Sequence, residues 1–222
     1  MKQVLIVAPH PDDETLGCGG SLLKHRTAGD IIHWLIVTER CAESGSSQEV
    51  AAMRDAEISS VAEQYGFESV HRLRFPEIKL DSIPFHLVVK AFSDVVRQIQ
   101  PQIMYVPCPA DIHTDHRVAF DAVASCSKWF RYPSIEKILA YETLSETEFN
   151  MNPDKHFRPN VFIDISNHIE EKIAIMQTYH SELACFPFPR STQALQALAV
   201  LRGSTAGCKA AEAFMLLKEI VR

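Results

Sequence analysis

The sequence predicts an α/β protein built on a mainly parallel sheet with helices on both faces, folded as a single domain over residues 1–222. Three observations carry this. Strand-like apolar runs alternate with helix-like stretches from the first residues onward, glycines and prolines fall between them, and two acid- and histidine-rich segments each follow a strand-like run. Right-handed crossovers place every strand-to-helix loop at one end of such a sheet, where ligand sites collect.

Val4 to Ala8 and Ile31 to Thr38 are rich in β-branched residues and read as strands. Between them Thr15 to Ala28 reads as a helix that Gly29 ends. Val50 to Tyr65 has helical periodicity and stops at Gly66, followed by strand-like Val70 to Phe75. Pro84 to Gln100 is a helix entered through a proline, and Ile103 to Val106 a short strand stopped by Pro107 and Pro109. Arg117 to Phe130 continues as helix and Lys137 to Tyr141 as strand, with Trp34 and Trp129 placed in the core. Ser145 to Pro159 is polar with two prolines and reads as a long loop of the functional kind. Val161 to Ile165 is a strand. Asn167 with Glu170 three residues on suggests a capped helix to about Tyr179. The run "CFPFPR", residues 185–190, cannot stay regular, and Ala206 to Val221 reads as a closing amphipathic helix.

The chain has 222 residues, 46% hydrophobic and 23% charged, a composition suited to a packed core. Its 22 lysines and arginines against 28 acids leave a formal charge of −6, which gives no support to a nucleic-acid partner. No apolar stretch approaches the roughly 20 residues that span a bilayer. No secretory signal is recognised, and six cysteines without a C-x-x-C pair read as reduced, mostly buried thiols of a cytoplasmic protein.

The chemistry concentrates in two loops. "PHPDDE", residues 9–14, places His10, Asp12, Asp13 and Glu14 directly after the first strand. "CPADIHTDH", residues 108–116, places His113, Asp115 and His116 after a later one. If the sheet is parallel, both loops come to the same end and face each other across a cleft. Imidazole and carboxylate are ordinary zinc ligands, and spacing alone does not separate Asp12 from Asp13. Helix capping would account for the acids but not for three histidines. The "GCGG" of residues 17–20 comes too late and lacks the spacing for a dinucleotide loop, so it reads as close helix packing.

These residues resemble the zinc-dependent LmbE-like (PIG-L) N-deacetylases. "PHPDDE" differs only in its first residue from their A-H-P-D-D-E motif, and "HTDH" is similar to their H-x-D-H motif. "FRPNVFIDIS", "YHSE", "RGSTAG" with "AEAF", and more weakly "RDAE", extend the likeness over most of the chain. "TERCAESG" from Thr38 lacks the family's usual early glycine. The resemblance implies a Rossmann-like fold and His10, Asp13 and His116 as ligands of Zn(2+), another divalent metal remaining an option. It implies Asp12 as general base, and a protonated His113, oriented by Asp115, as oxyanion stabiliser. Arg54, His180 and Arg202 fall in matching stretches and are candidate substrate contacts. The implied substrate is a small N-acetylglucosamine-type amino sugar or its conjugate, with a larger acyl or thiol-conjugate amide as the alternative. Homo-oligomerisation is a further family expectation, with no interface legible in this chain.

Overall fold

The computed structural model describes residues 1–40, 45 and 47–221. Seven strands form one sheet in the order β3-β2-β1-β4-β5-β7-β6. They are β1 (Gln3–Ala8), β2 (Ile31–Glu39), β3 (Ser69–Pro76), β4 (Ile103–Pro107), β5 (Lys137–Tyr141), β6 (Val161–Asp164) and β7 (Ala211–Glu219). The helices are α1 (Asp13–Thr27), α2 (Gln48–Tyr65), α3 (Phe85–Ile99), α4 (Thr114–Ser125), α5 (Ile169–Met176) and α6 (Thr192–Ala206). The first five strands pair in parallel.

Successive side chains of a strand point to opposite faces, and the central strands are buried on both, which is why they read as continuous apolar runs. Val4, Ile6 and Ala8 of β1 pack with Leu16 and Leu22 of α1, Val61 and Tyr65 of α2, Met176 of α5 and Leu195 of α6. Leu5 and Val7 pack on the other face with Phe92 and Val96 of α3 and Ala119 and Val123 of α4. The glycines of α1 permit close approach: a Cβ at Gly17, Gly19 or Gly20 would collide with Tyr141, Tyr65 or Ile165. The chain winds outward through β1, β2 and β3, then returns to β4 on the other side of β1. The strand order therefore reverses between β1 and β4, and a crevice opens at their carboxyl ends.

Three expectations are corrected. The closing segment is not a helix over Ala206 to Val221; α6 ends at Ala206, Gly207 turns the chain with φ +74°, and β7 follows. Although Ala, Glu, Leu and Lys favour helix, β7 fills the slot between β5 and β6, antiparallel to both, and this pairing overrides local propensity. Glu212 of β7 is buried, and it accepts from Lys172 Nζ at 2.7 Å and from the amides of Gly20 and Ser21. Helix α4 runs from Thr114 to Ser125 rather than Arg117 to Phe130, so Trp129 lies beyond it, 64% exposed and outside the core. At α5, His168 rather than Asn167 stands at the N-cap, makes no side-chain capping bond, and the helix ends at Met176. Among the described cysteines, Cys18, Cys108 and Cys126 are buried free thiols; Cys41 lies outside the described residues.

Candidate metal centre and active site

The first turn is held from both sides. Pro9 carbonyl accepts from the Thr38 amide at 3.0 Å and its hydroxyl at 2.9 Å, fixing the loop to the end of β2. Asp12 takes the N-cap position of α1 with φ 135°, a conformation that costs a non-glycine residue about 1–3 kcal/mol. Its carboxylate makes no capping bond. Oδ2 is buried without a hydrogen-bond partner, and the nearest cation is Arg190 Nη1 at 3.5 Å. Glu14 braces the turn instead, accepting from the Asp12 amide at 3.0 Å, the Thr15 hydroxyl at 2.6 Å and the Tyr179 hydroxyl at 2.7 Å.

The structure brings His10, Asp13 and His116 together. His10 Nδ1 lies 3.4 Å from Asp13 Oδ2, His116 Nε2 lies 3.3 Å from the same oxygen, and the two nitrogens are 3.3 Å apart. Tetrahedral coordination with bonds of ~2.0–2.1 Å requires ligand atoms roughly 3.3–3.4 Å apart, so this triangle fits a zinc-sized ion. The outer nitrogens are engaged: His10 Nε2 meets Asp115 Oδ2 at 3.2 Å, and His116 Nδ1 meets Asp111 Oδ2 at 2.9 Å. Carboxylates that accept from the remote ring nitrogens turn the lone pairs of the near ones toward a common point. Thr147 in turn donates to Asp111 Oδ1 at 2.6 Å. A second grouping, His10, His113 and Asp115, is also close enough to hold an ion, but its His10–Asp115 contact is this outer bond.

The electrostatics favour positive charge at that point. Burial lowers the proton affinity of His10, yet Asp115 and Asp13 raise its pKa to about 9. Burial likewise opposes charge on His116, and Asp13 and Asp111 hold it well above the usual histidine value. Burial and then neighbouring Asp13 push Asp12 well above the usual carboxylate range, against the pull of Arg54 and Arg190.

His113 departs from the expectation of a charged imidazole oriented by the Asp115 carboxylate. That carboxylate is spent on His10 and on the amides of Ile78 at 2.8 Å and Leu80 at 3.1 Å, and stands 4.0 Å from His113 Nδ1. His113 is placed by the Asp115 backbone instead, its Nδ1 accepting from that amide at 3.1 Å. Burial, with His10 and His116 alongside, pushes His113 down to about 4, so it is neutral with its proton on Nε2.

The other candidates lie elsewhere than expected. Arg54 is neither on a solvated face nor open to a ligand: it is 5% exposed, bonded to Pro11 carbonyl at 2.5 Å and Glu57 at 3.0 Å, and packed over Tyr179. The His180 side chain is exposed while its amide donates to Glu57. Arg202 is paired through two bonds with Glu142 and lines a cavity of about 420 Å³ with Thr147, His156 and Phe157, apart from the ligand triangle. Much of the loop from Thr38 to Ser47 lies outside the described residues.

Sequence reasoning missed three participants. Asp111 counts in the sequence only among the acids that capping would explain, although its position five residues before His116 lets it close on that ring. Glu182 gathers Arg40 at 2.7 Å, Arg54 at 3.1 Å and Arg190 at 3.3 Å beside Asp12. Arg190 comes from the irregular "CFPFPR" run, and nothing local announces that it returns to the first turn.

A doubly wound sheet that brings a His–Asp–His triangle of the size to hold a metal ion and an uncapped, buried carboxylate to its switch point has the layout of a metal-dependent enzyme. The chain belongs to the PIG-L: GlcNAc-PI de-N-acetylase family, whose model matches residues 5–127, and is an enzyme of the N-deacetylase class. It is 26% identical over 228 residues to the diacetylchitobiose deacetylase of Thermococcus kodakarensis, covering 96% of this chain and 82% of that protein. The conserved protein TT1542 of Thermus thermophilus superposes with a TM-score of 0.79 at 25% identity, over 100% of this chain and 97% of the other. The 4-carboxy-2-hydroxymuconate hydratase GalB of Pseudomonas putida shares the fold, with a TM-score of 0.70 at 21% identity over 100% and 98% of the two chains. Since that fold also carries a hydratase, the reaction has to be argued from the site.

Proposed function

We propose that the whole chain acts as one catalytic domain, a zinc-dependent hydrolase that removes the acetyl group from an N-acetylglucosamine-type sugar or its conjugate. The observation that carries this reading is the ligand triangle of His10, Asp13 and His116 with Asp12 beside it, withheld from capping. A divalent cation held by His10, Asp13 and His116 would supply Lewis-acid polarisation of the acetamide carbonyl and would lower the pKa of a water. Asp12, buried and withheld from capping, takes the proton of the attacking water. Its elevated proton affinity suits the task, and positioned general-base catalysis is worth roughly 10²- to 10⁴-fold. Once protonated, Asp12 returns the proton to the departing amine. His113, neutral, donates from Nε2 to the carbonyl oxygen as negative charge develops, a preorganised donor fixed by the Asp115 amide. Asp111 and Asp115 hold the two ligand imidazoles in register. Arg54, through Pro11 carbonyl and Glu182, holds the turn on which Asp12 sits.

The relative's diacetylchitobiose supports an amino-sugar substrate. Among the described residues no helix is long and apolar enough to cross a membrane, and we place the enzyme in the cytoplasm with a small-molecule substrate and no nucleic-acid partner. Acetate release from a panel of N-acetylglucosamine conjugates, by protein of known zinc content, tests the reading. Release by the wild type is expected. No release from any acetylated sugar, with cleavage of longer-acyl or thiol-conjugate amides instead, would replace the sugar deacetylase by an amidase using the same residues.

A further inference from the structure

The amino end of the sheet, opposite the metal centre, carries a feature that catalysis does not use. Between the end of α4 and the start of β5 the chain exposes Trp129 and Phe130, 64% and 62% accessible, their rings edge to face at 6.0 Å. Four cations belong to the same segment or touch it. Lys128 precedes the pair, the Arg131 guanidinium lies 5.9 Å from the Phe130 ring, Arg97 of α3 lies 5.9 Å from the Tyr132 ring, and Lys218 Nζ donates to Ser127 carbonyl at 2.6 Å. Arg97 and Arg131 also border a cavity of about 360 Å³ with Tyr132 and Pro133. Among the described residues none of the four has a carboxylate within salt-bridge distance. Nearby acids are committed elsewhere: Glu136 to Lys2, Glu219 to Lys137 and Asp94 to Lys90.

The net charge of −6 makes a group of four cations without a salt-bridge partner beside two exposed rings a local departure from the chain's overall balance. A second copy docking there about a two-fold axis would oppose four cations to four. Aromatic rings that sit at headgroup depth, flanked by lysine and arginine reaching for phosphates, match an anionic lipid surface. We propose that Trp129 and Phe130, with Lys128, Arg131, Arg97 and Lys218, form a peripheral docking surface for an anionic phospholipid membrane. Docking at this end leaves the metal centre facing away from the bilayer, open to soluble substrate.

Sedimentation with phosphatidylcholine vesicles, with and without phosphatidylserine, tests the proposal. The wild type is expected to bind the anionic vesicles and to release from them as salt rises. Binding is expected to shift its tryptophan emission to the blue, a signal assignable to Trp129 because Trp34 is fully buried. Each cation near an anionic surface is worth about five-fold in binding, so Lys128→Glu with Arg131→Glu should weaken it by at least tenfold. Trp129→Ser with Phe130→Ser should abolish the emission shift and the binding while leaving acetate release and circular dichroism unchanged. Equal binding to neutral vesicles, or no binding at low salt, overturns the proposal. So does an oligomer, seen by light scattering, that the Trp129→Ser, Phe130→Ser variant dissolves, for the surface would then join copies of the chain.

Discussion

Helices α1 and α6 begin differently. At α6, Ser191 sits at the N-cap with extended backbone, and its hydroxyl accepts from the Ala194 amide at 3.1 Å. At α1, Asp12 occupies the same position with φ 135°, and its carboxylate accepts from no amide of the helix. One residue satisfies the helix, while the other is held in a strained conformation and kept from it. The difference teaches that the Asp12 carboxylate is not capping chemistry, and that Pro9, Glu14 and Arg54 hold it where the helix would not place it.

The largest effect should come from Asp12 itself. Asp12→Asn preserves shape and removes the proposed base, so turnover is expected to fall roughly 10²- to 10⁴-fold with metal content unchanged. Asp12→Gly is expected to lose as much activity while gaining stability, because glycine relieves the strained φ; a loss of stability in urea unfolding would break the contrast with α6. Next is Asp111→Asn, which weakens the outer bond to His116 and should lower metal affinity about 10- to 100-fold, read by chelator competition.

Glu14 sharpens the account through pH. Burial is the chief reason its carboxyl is pushed up to about 7, while the Thr15, Tyr179 and Asp12 hydrogen bonds pull the other way. Between its ordinary value of 4.5 and about 7, the native state holds a proton the unfolded chain has released, so stability falls as pH rises across that window. Glu14→Gln is neutral throughout and should remove this slope, on the order of 2–3 kcal/mol over the window. Urea midpoints that stay parallel for the two proteins would contradict it. The smallest effect belongs to the ordinary cap: Ser191→Ala should cost about 1 kcal/mol of stability.

The parallel half of the fold was legible because β1 to β5 are separated by helices with clear stops, such as Gly66 in the left-handed conformation after α2. The tail was not. β7 is composed of helix-forming residues and becomes a strand only through partners some 50 to 80 positions away, such as Asp164 opposite Ala211 and Lys137 opposite Glu219. The two loops rich in histidine and acid were legible because they follow β1 and β4, but which of their side chains meet was not, since spacing does not separate Asp12 from Asp13. The parts that hold Asp12 were less so: Glu182 and Arg190 reach it from the far end of the chain, and the Asp115 carboxylate turns to His10 rather than to its sequence neighbour His113.

Metal content and acetate release, measured together on wild type, Asp12→Asn and His116→Ala, test the central claim most directly. The account predicts a metal-bound, active wild type, an Asp12→Asn protein with equal metal and turnover reduced at least about a hundredfold, and a His116→Ala protein lacking both. An Asp12→Asn protein that loses its metal would exchange the roles of Asp12 and Asp13, and one that keeps full activity would remove Asp12 from the reaction.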